Sequence, residues 1–328
     1  MYVITGGAGF IGSNVAHILE ARGAAPLVIV DHLGQDDKWR NIAKRALHDI
    51  VHPDNIHAFL GLNAQAVKAV VHMGAISATT ERDVDLIIES NFRLSRDLWS
   101  WCARNQTPYI YASSAATYGD GQAGFDDALT DAGLAKLRPL NPYGWSKLLF
   151  DRWVWAQLDQ DGVRPPQWAG LRFFNVYGPN EYHKGRMQSV VSQIQPLAAA
   201  GESCRLFKSH RPDYQDGGQL RDFVSVDDCA EVIAWLLKNP SVSGLFNLGT
   251  GKARSFADLA RAVYDAMGQD FAVEYIPTPE DIRDKYQYFT EANMSKLRAA
   301  GYSKPFTSLE DGVARYVRDF LAAADPYR

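Results

Sequence analysis

Val3-Ile-Thr-Gly-Gly-Ala-Gly-Phe-Ile-Gly12 is the stretch from which the rest of the chain is read. Met1 to Thr5 has the apolar run of a short buried strand, and Val15, Ile18 and Leu19 then recur at helical spacing. Between them Gly6, Gly9 and Gly12 fall at every third position. A strand, a glycine turn and a helix in this order let a diphosphate approach the backbone where a Cβ would block it, and the helix N-terminal amides then face the anion. A glycine triplet alone also fits an ordinary tight turn. Asp31, which closes the next apolar run Leu27-Val-Ile-Val-Asp31, lies at the spacing of roughly 20 residues expected of a ribose-binding acid. Dinucleotide binding is therefore the stronger reading.

The 328 residues, 46% hydrophobic and 22% charged, suffice for a large core, and roughly 150 residues per domain suggests about two domains. A formal net charge of -4 speaks against nucleic acid or an anionic membrane as partner. Cys102, Cys204 and Cys229 have no metal-ligand spacing, so no metal is expected, and so sparse a set suits a reducing compartment. No apolar run nears the ~18 residues of a membrane span, and the first strand has no leader before it, so a cytoplasmic location is expected.

After Asp31, the polar loop from His32 carries Lys38 and Arg40. Asp31 suits a free ribose 2′-hydroxyl and either cation a 2′-phosphate, so these residues leave NAD and NADP open. Ile42 to Gly61 stays open, with Asn41 to Leu47 fitting a helix and Asn55 to Leu60 a short strand or loop. Ala69 to His72 is a buried strand entering Met73-Gly-Ala-Ile-Ser77, small enough for a cofactor to cross. Asp83 to Cys102 reads as an amphipathic helix with Leu86, Ile87, Phe92 and Leu98 inward and Asn91 sending an amide toward the site. Tyr109 to Ser113 is the next strand, and the glycine-rich loop Gly119 to Arg138 is placed to cover a pocket. Strand and helix in alternation predict an α/β fold, a doubly wound parallel sheet.

Asn141-Pro-Tyr-Gly-Trp-Ser-Lys147 opens a helix whose Tyr143 and Lys147, four residues apart, stack on one face. An ammonium so placed favours phenolate and is expected to draw the tyrosine pKa below its usual value of about 10. Such pairs also arise by chance, and the glycine turn and Ser114 give this one its meaning. Gln167 to Phe174 is a further strand, and beyond Asn175 the alternation breaks down, as expected where a second domain begins. Lys208, His210, Arg211 and Arg221 form a candidate diphosphate cradle, and Asp227 to Leu237, Ser255 to Met267 and Leu309 to Leu321 read as helices.

Gly6/Gly9/Gly12, Ser114 and Tyr143-x-x-x-Lys147 together resemble the extended short-chain dehydrogenase/reductases. Tyr111-Ala-Ser-Ser-Ala-Ala-Thr-Tyr-Gly119, Phe174-Asn-Val-Tyr-Gly-Pro179, His183-Lys-Gly185, Arg221-Asp-Phe-Val224, Phe246-Asn-Leu-Gly-Thr-Gly251 and Leu297-Arg-Ala-Ala-Gly-Tyr-Ser-Lys-Pro-Phe306 narrow the match, over nearly the whole chain, to their ADP-heptose 6-epimerase branch. The resemblance implies a Rossmann domain at 1–174 plus 223–251 and a smaller discontinuous substrate domain at 175–222 plus 252–328. It implies an isomerase of lipopolysaccharide core biosynthesis acting on an ADP-heptose with bound NADP, and assembly as a homo-oligomer. Tyr143, Lys184, Ser114 and Lys147 would be catalytic. Gly6, Gly9, Phe10, Ile11, Gly12, Asp31, His32, Lys38, Met73, Gly74, Ala75, Ile76, Ser77, Asn91, Val176 and Lys184 would hold the cofactor, with Tyr143 and Lys147. Asn175, Arg186, Gln193, Phe207, Lys208, Ser209, His210, Arg221 and Tyr286 would meet the substrate, with Ser114. Arg186 and Gln193 depart from the family pattern of a small hydroxyl residue and a histidine. A UDP-hexose 4-epimerase and a non-catalytic dinucleotide-binding sensor are the rival readings. The intact Tyr143-Lys147 pair counts against the sensor.

Overall fold

A computed structural model describes residues 1–128, 130–159, 163–283 and 287–328. Seven strands form one sheet in which every neighbouring pair is parallel. They are β1 (Tyr2–Thr5), β2 (Leu27–Val30), β3 (Leu47–Val51), β4 (Ala69–His72), β5 (Tyr109–Ser114), β6 (Trp168–Phe173) and, after intervening segments, the strand Gly244–Leu248. Their order runs β3, β2, β1, β4, β5, β6, then Gly244–Leu248. The order reverses direction between β1 and β4, the switch point where a ligand crevice opens at the strands' carboxyl ends.

The central strands are buried and mostly apolar because both faces of the sheet are covered. Side chains alternate in direction along a strand, so Val3, Val28 and Val70 enter one core with Trp99 and Phe150, while Ile4, Ile29 and Val71 enter another with Val15 and Leu19. Helices α1 (Phe10–Ala21), α2 (Leu94–Arg104) and α3 (Pro142–Asp159) cover the sheet, with α2 continuing the short helix Val84–Ile87 through a π-turn at Ile88–Arg93.

Beyond β6 the chain builds two small sheets. β7 (Asn175–Tyr177) and Ala253–Ser255 flank Leu220–Ser225, and Cys204–Phe207 pairs with Val273–Ile276. Helices α4 (Val190–Ala199), α5 (Val226–Lys238), α6 (Phe256–Met267) and α7 (Leu309–Tyr316) follow. Tyr177, Ile194, Phe223, Val263 and Val313 share a third core there. Among the described residues no helix is long and apolar enough to cross a membrane.

The structure corrects three expectations. The segment expected to be helical after Asn41 ends in β3, an edge strand with Asp49 and Ile50 exposed, which hid its apolar pattern. The expected strand or loop from Asn55 is the helix Ile56–Leu62, which buries only Ile56 and Leu60, one turn apart. Leu86 is 47% exposed rather than inward.

Candidate active site

The crevice at the switch point is a cleft of about 500 Å³. Its floor is the glycine turn. Gly9 caps α1 with no side-chain hydrogen bond, and no acid lies in the first helical turn, so nothing on the helix opposes an anion there. Gly6 has φ +61°, and a Cβ on it would lie 2.5 Å from the Gly74 nitrogen. A Cβ on Gly12 would collide with the Gly6 carbonyl. Turn, helix and the loop after β4 therefore meet backbone to backbone, the fit that a diphosphate-containing cofactor requires.

One wall is the end of β2. Asp31 is 9% exposed and accepts the Ala8 amide at 2.9 Å on Oδ2 and the Lys38 ammonium at 2.6 Å on Oδ1. Lys38 also donates to the His32 carbonyl at 2.9 Å, while the exposed His32 ring sits 3.0 Å from His52, off the cleft wall. Met73, Gly74, Ala75 and Ser77 line the far side. Asn91 reaches the site indirectly. Its side chain accepts from Ile76 N at 2.8 Å and donates to Ile76 O at 2.9 Å, holding the loop rather than the cleft. The π-turn Ile88–Arg93 contains it, an inserted residue of the kind often found at functional sites.

The reactive wall belongs to β5 and α3. Gly144 lets α3 press against the turn after β5, since a Cβ there would lie 2.6 Å from Ala116 O. Tyr143 hydrogen-bonds with Ser114, and both line the cleft. Burial raises the Tyr143 pKa above its ordinary value, and the Ser114 bond opposes that. The expected lowering by Lys147 is not how the protein by itself is built. Lys147 is 3% exposed and donates to Ala112 O at 2.8 Å. Burial pushes its pKa down to about 8, with Asp151, one turn on, pulling the other way. Asp151 is itself held by Ser113 at 2.8 Å, by Tyr111 at 3.2 Å and by Arg172 at 3.0 Å, an ion pair with no solvent exposure.

Lys184 enters from the opposite part of the chain, on the turn Tyr182–Met187 that follows β7. Its Nζ stands 5.2 Å from the centroid of the Phe10 ring, at the start of α1. Burial lowers its pKa and the nearby Glu181 raises it. Glu181 is fully buried and accepts from Ser189 Oγ at 2.6 Å and Tyr316 OH at 3.0 Å, fixing the base of this turn.

Gly6, Gly9, Phe10, Ile11, Gly12, Asp31, Lys38, Ser114, Tyr143, Lys147, Asn175, Val176 and Lys184 are thus brought together in one cleft. The other expected sugar-side residues are not among those that line it. Arg186 and Gln193 are exposed, and Gln193 donates to Gln188 O at 2.8 Å. Lys208 and Ser209 follow the strand that ends at Phe207, and His210 Nδ1 lies 2.9 Å from Tyr288 OH. Arg221 is buried with its guanidinium 5.6 Å over the Phe256 ring. Tyr286 lies outside the described residues. His183, Phe173, Phe174, Gln188 and Ser189 also line the cleft and were missed. Adjacency to Lys184 was the available signal for His183. The others carry no chemistry that marks them in sequence. Among the described residues no group of three or more His, Cys, Asp or Glu is placed to hold a metal.

Residues 2–249 match the model of the NAD dependent epimerase/dehydratase family. The chain is 52% identical over 332 residues to the ADP-L-glycero-D-manno-heptose-6-epimerase of Nitratidesulfovibrio vulgaris (strain DP4), with both chains covered in full. It is 47% identical over 335 residues to the protein of the same name from Fusobacterium nucleatum subsp. nucleatum, again over both full lengths. Among solved structures it resembles the Helicobacter pylori ADP-L-glycero-D-manno-heptose-6-epimerase, with TM-score 0.79 and 27% identity over 98% of this chain and 96% of that one. It also resembles the Thermus thermophilus UDP-glucose 4-epimerase in complex with NAD, with TM-score 0.74 and 26% identity over 98% and 99%.

Proposed function

The chain belongs to the NAD dependent epimerase/dehydratase family, and from that premise we propose that it inverts C6″ of an ADP-manno-heptose, interconverting the D-glycero and L-glycero epimers. The observation that carries this is that a phenol and an ammonium from distant parts of the chain, Tyr143 and Lys184, line one cleft with the glycine turn. The full-length relatives named for this reaction support it.

The C6″ hydrogen is not acidified by a neighbouring carbonyl, so inversion calls for removal of a hydride and its return to the other face. A bound nicotinamide supplies that acceptance and return. Gly6, Gly9, Gly12 and the α1 amides would hold its diphosphate, Asp31 and Lys38 the adenosine end, and Met73–Ser77 and Lys147 the nicotinamide half. We take the cofactor to be NADP because Lys38 stands beside Asp31 at the end of β2.

Tyr143 exchanges a proton with the C6″ hydroxyl of one epimer, and Ser114 hydrogen-bonds the reacting oxygen. Rotation about an exocyclic single bond presents the other face, and Lys184 serves the second epimer. Lys147, one helical turn from Tyr143, would supply positive charge at the reactive wall. Residues 175–222 and 252–328 form the substrate domain in this reading, with Asn175 at the cleft and the Lys208–His210 segment toward the nucleotide. We take the assembly to be a homo-oligomer and the site of action to be the cytoplasm, on the resemblance to the heptose epimerases.

The test is to offer purified protein ADP-D-glycero-β-D-manno-heptose and, separately, UDP-glucose. Conversion of the heptose nucleotide alone is expected. Conversion of UDP-glucose at comparable kcat/KM, with Lys184→Met leaving it intact, would favour the 4-epimerase reading suggested by the second structural likeness.

A further inference from the structure

Asn41 stands between the loop that carries Asp31 and Lys38 and the loop that carries Lys184. It ends the short turn Asp37–Asn41, which Asp36 caps, and it is 1% exposed. Its Nδ2 donates to the Ala8 carbonyl at 2.8 Å and lies 3.1 Å from His183 Nδ1. Its backbone carbonyl accepts from Asn180 Nδ2 at 3.2 Å. Ala8 in turn gives its amide to Asp31, the acid paired with Lys38. One amide group thus touches the glycine turn and the residue before the second base.

The bond to His183 needs an unprotonated Nδ1. Burial, then Lys38 and Lys184, lowers the His183 pKa, with Asp36 and Asp31 opposing, which favours that form near neutral pH. Asn41 Oδ1 is buried with no hydrogen-bond partner among the described residues. The loop is also held from outside, where Tyr182 OH donates to Pro326 O at 2.8 Å and Arg328 N donates to Asn180 Oδ1 at 3.0 Å. Truncating Asn41 would therefore loosen His183 and Lys184 without releasing the whole segment.

We propose that Asn41 is a positioning residue for Lys184, tying the second base to the adenosine end of the cofactor through Ala8 and His183. The inference rests on the reading of Lys184 as the proton-transfer group for one epimer. Asn41 itself touches neither substrate nor reacting atoms in this account. Its role is to set where the ammonium stands once the Asp31–Lys38 loop is in place.

The experiment mixes cofactor-loaded enzyme rapidly with each purified C6″ epimer and follows reduction of the nicotinamide by absorbance. Lys184→Met is expected to slow hydride removal from one epimer and spare the other. Asn41→Ala is expected to slow the same epimer by about ten- to a hundredfold, the scale set by a misplacement near 1 Å, and to leave the other unchanged. The double variant should be no slower than Lys184→Met alone. If Asn41→Ala slows neither epimer, or both equally, while Lys184→Met keeps its preference, the role of Asn41 is overturned and that of Lys184 stands. If Lys184→Met shows no preference between epimers, the reading of Lys184 fails and the inference with it. Should the alanine variant not fold, Asn41→Ser gives the same readout, since its short hydroxyl cannot span Ala8 and His183.

Discussion

Lys38 Nζ and Asp31 Oδ1 are 2.6 Å apart, so the acid at the end of β2 and the cation of the turn that follows form one pair. An ion pair at the adenosine end can take a ribose 2′-hydroxyl on the carboxylate or turn its ammonium to a 2′-phosphate. Lys38→Ala is therefore expected to raise the Kd for NADP by roughly tenfold or more, the loss of one charge-assisted contact, and to change the Kd for NAD far less. Titration of both cofactors by intrinsic fluorescence checks this. Equal losses for the two would remove Lys38 from 2′-phosphate recognition.

The glycine turn gives a contrast between two substitutions. A Cβ on Gly12 would strike the Gly6 carbonyl, whereas a Cβ on Gly23 (φ +73°) meets nothing within 4 Å. Gly12→Ala is expected to destabilise the fold by about 1–3 kcal/mol and to abolish cofactor retention. Gly23→Ala should cost only the left-handed backbone strain, about 1–2 kcal/mol, with cofactor binding intact. Denaturant midpoints and the cofactor content of the purified variants decide it.

Beneath Lys147, Arg172 and Asp151 are both fully buried and joined at 3.0 Å. Arg172→Met strands the carboxylate and is expected to cost about 3–5 kcal/mol. Arg172→Met combined with Asp151→Leu should recover part of that loss, measured by chemical denaturation. If the double variant is as unstable as the sum of its parts, the pair is held by its neighbours rather than by its own charges.

Lys147 carries a pH dependence whose sign follows from its environment. Its folded pKa lies near 8, below the ordinary lysine value of 10.5, so the unfolded chain binds the proton more tightly. The penalty for burying the ammonium is fully present below pH 8 and is relieved as pH rises toward about 10.5. Relative to Lys147→Met, the wild-type unfolding free energy should therefore rise by about 3 kcal/mol over that interval. A flat difference across it would place the folded pKa at the solvent value.

How much of this was legible from sequence depends on what each residue type advertises. Gly6, Asp31 and the Tyr143-Lys147 pair stand in strand, turn and helix contexts that a period of two or of 3.6 exposes, and the parallel sheet followed from their alternation. The edge strand β3 was hidden because its inner residues face solvent, so no apolar run marks it. The helix Ile56–Leu62 was hidden because two buried residues one turn apart make too weak a pattern. Asn91 was read for the site but not for its task, since only tertiary contact with Ile76 shows that it braces the loop. Asn41 has no sequence signature at all. Its partners Ala8 and His183 lie 33 and 142 positions away, and their convergence is a property of the fold.

The central claim is that C6″ loses a hydride to a resident cofactor and takes the same one back. Its most direct measurement is to run the epimerisation of ADP-D-glycero-β-D-manno-heptose in D₂O with cofactor-loaded protein and read C6″ by NMR. The account predicts inversion with protium retained at C6″, and no inversion once Tyr143→Phe and Lys184→Met are combined. Deuterium at C6″ of the product would contradict it, because the hydrogen would then have left as a proton.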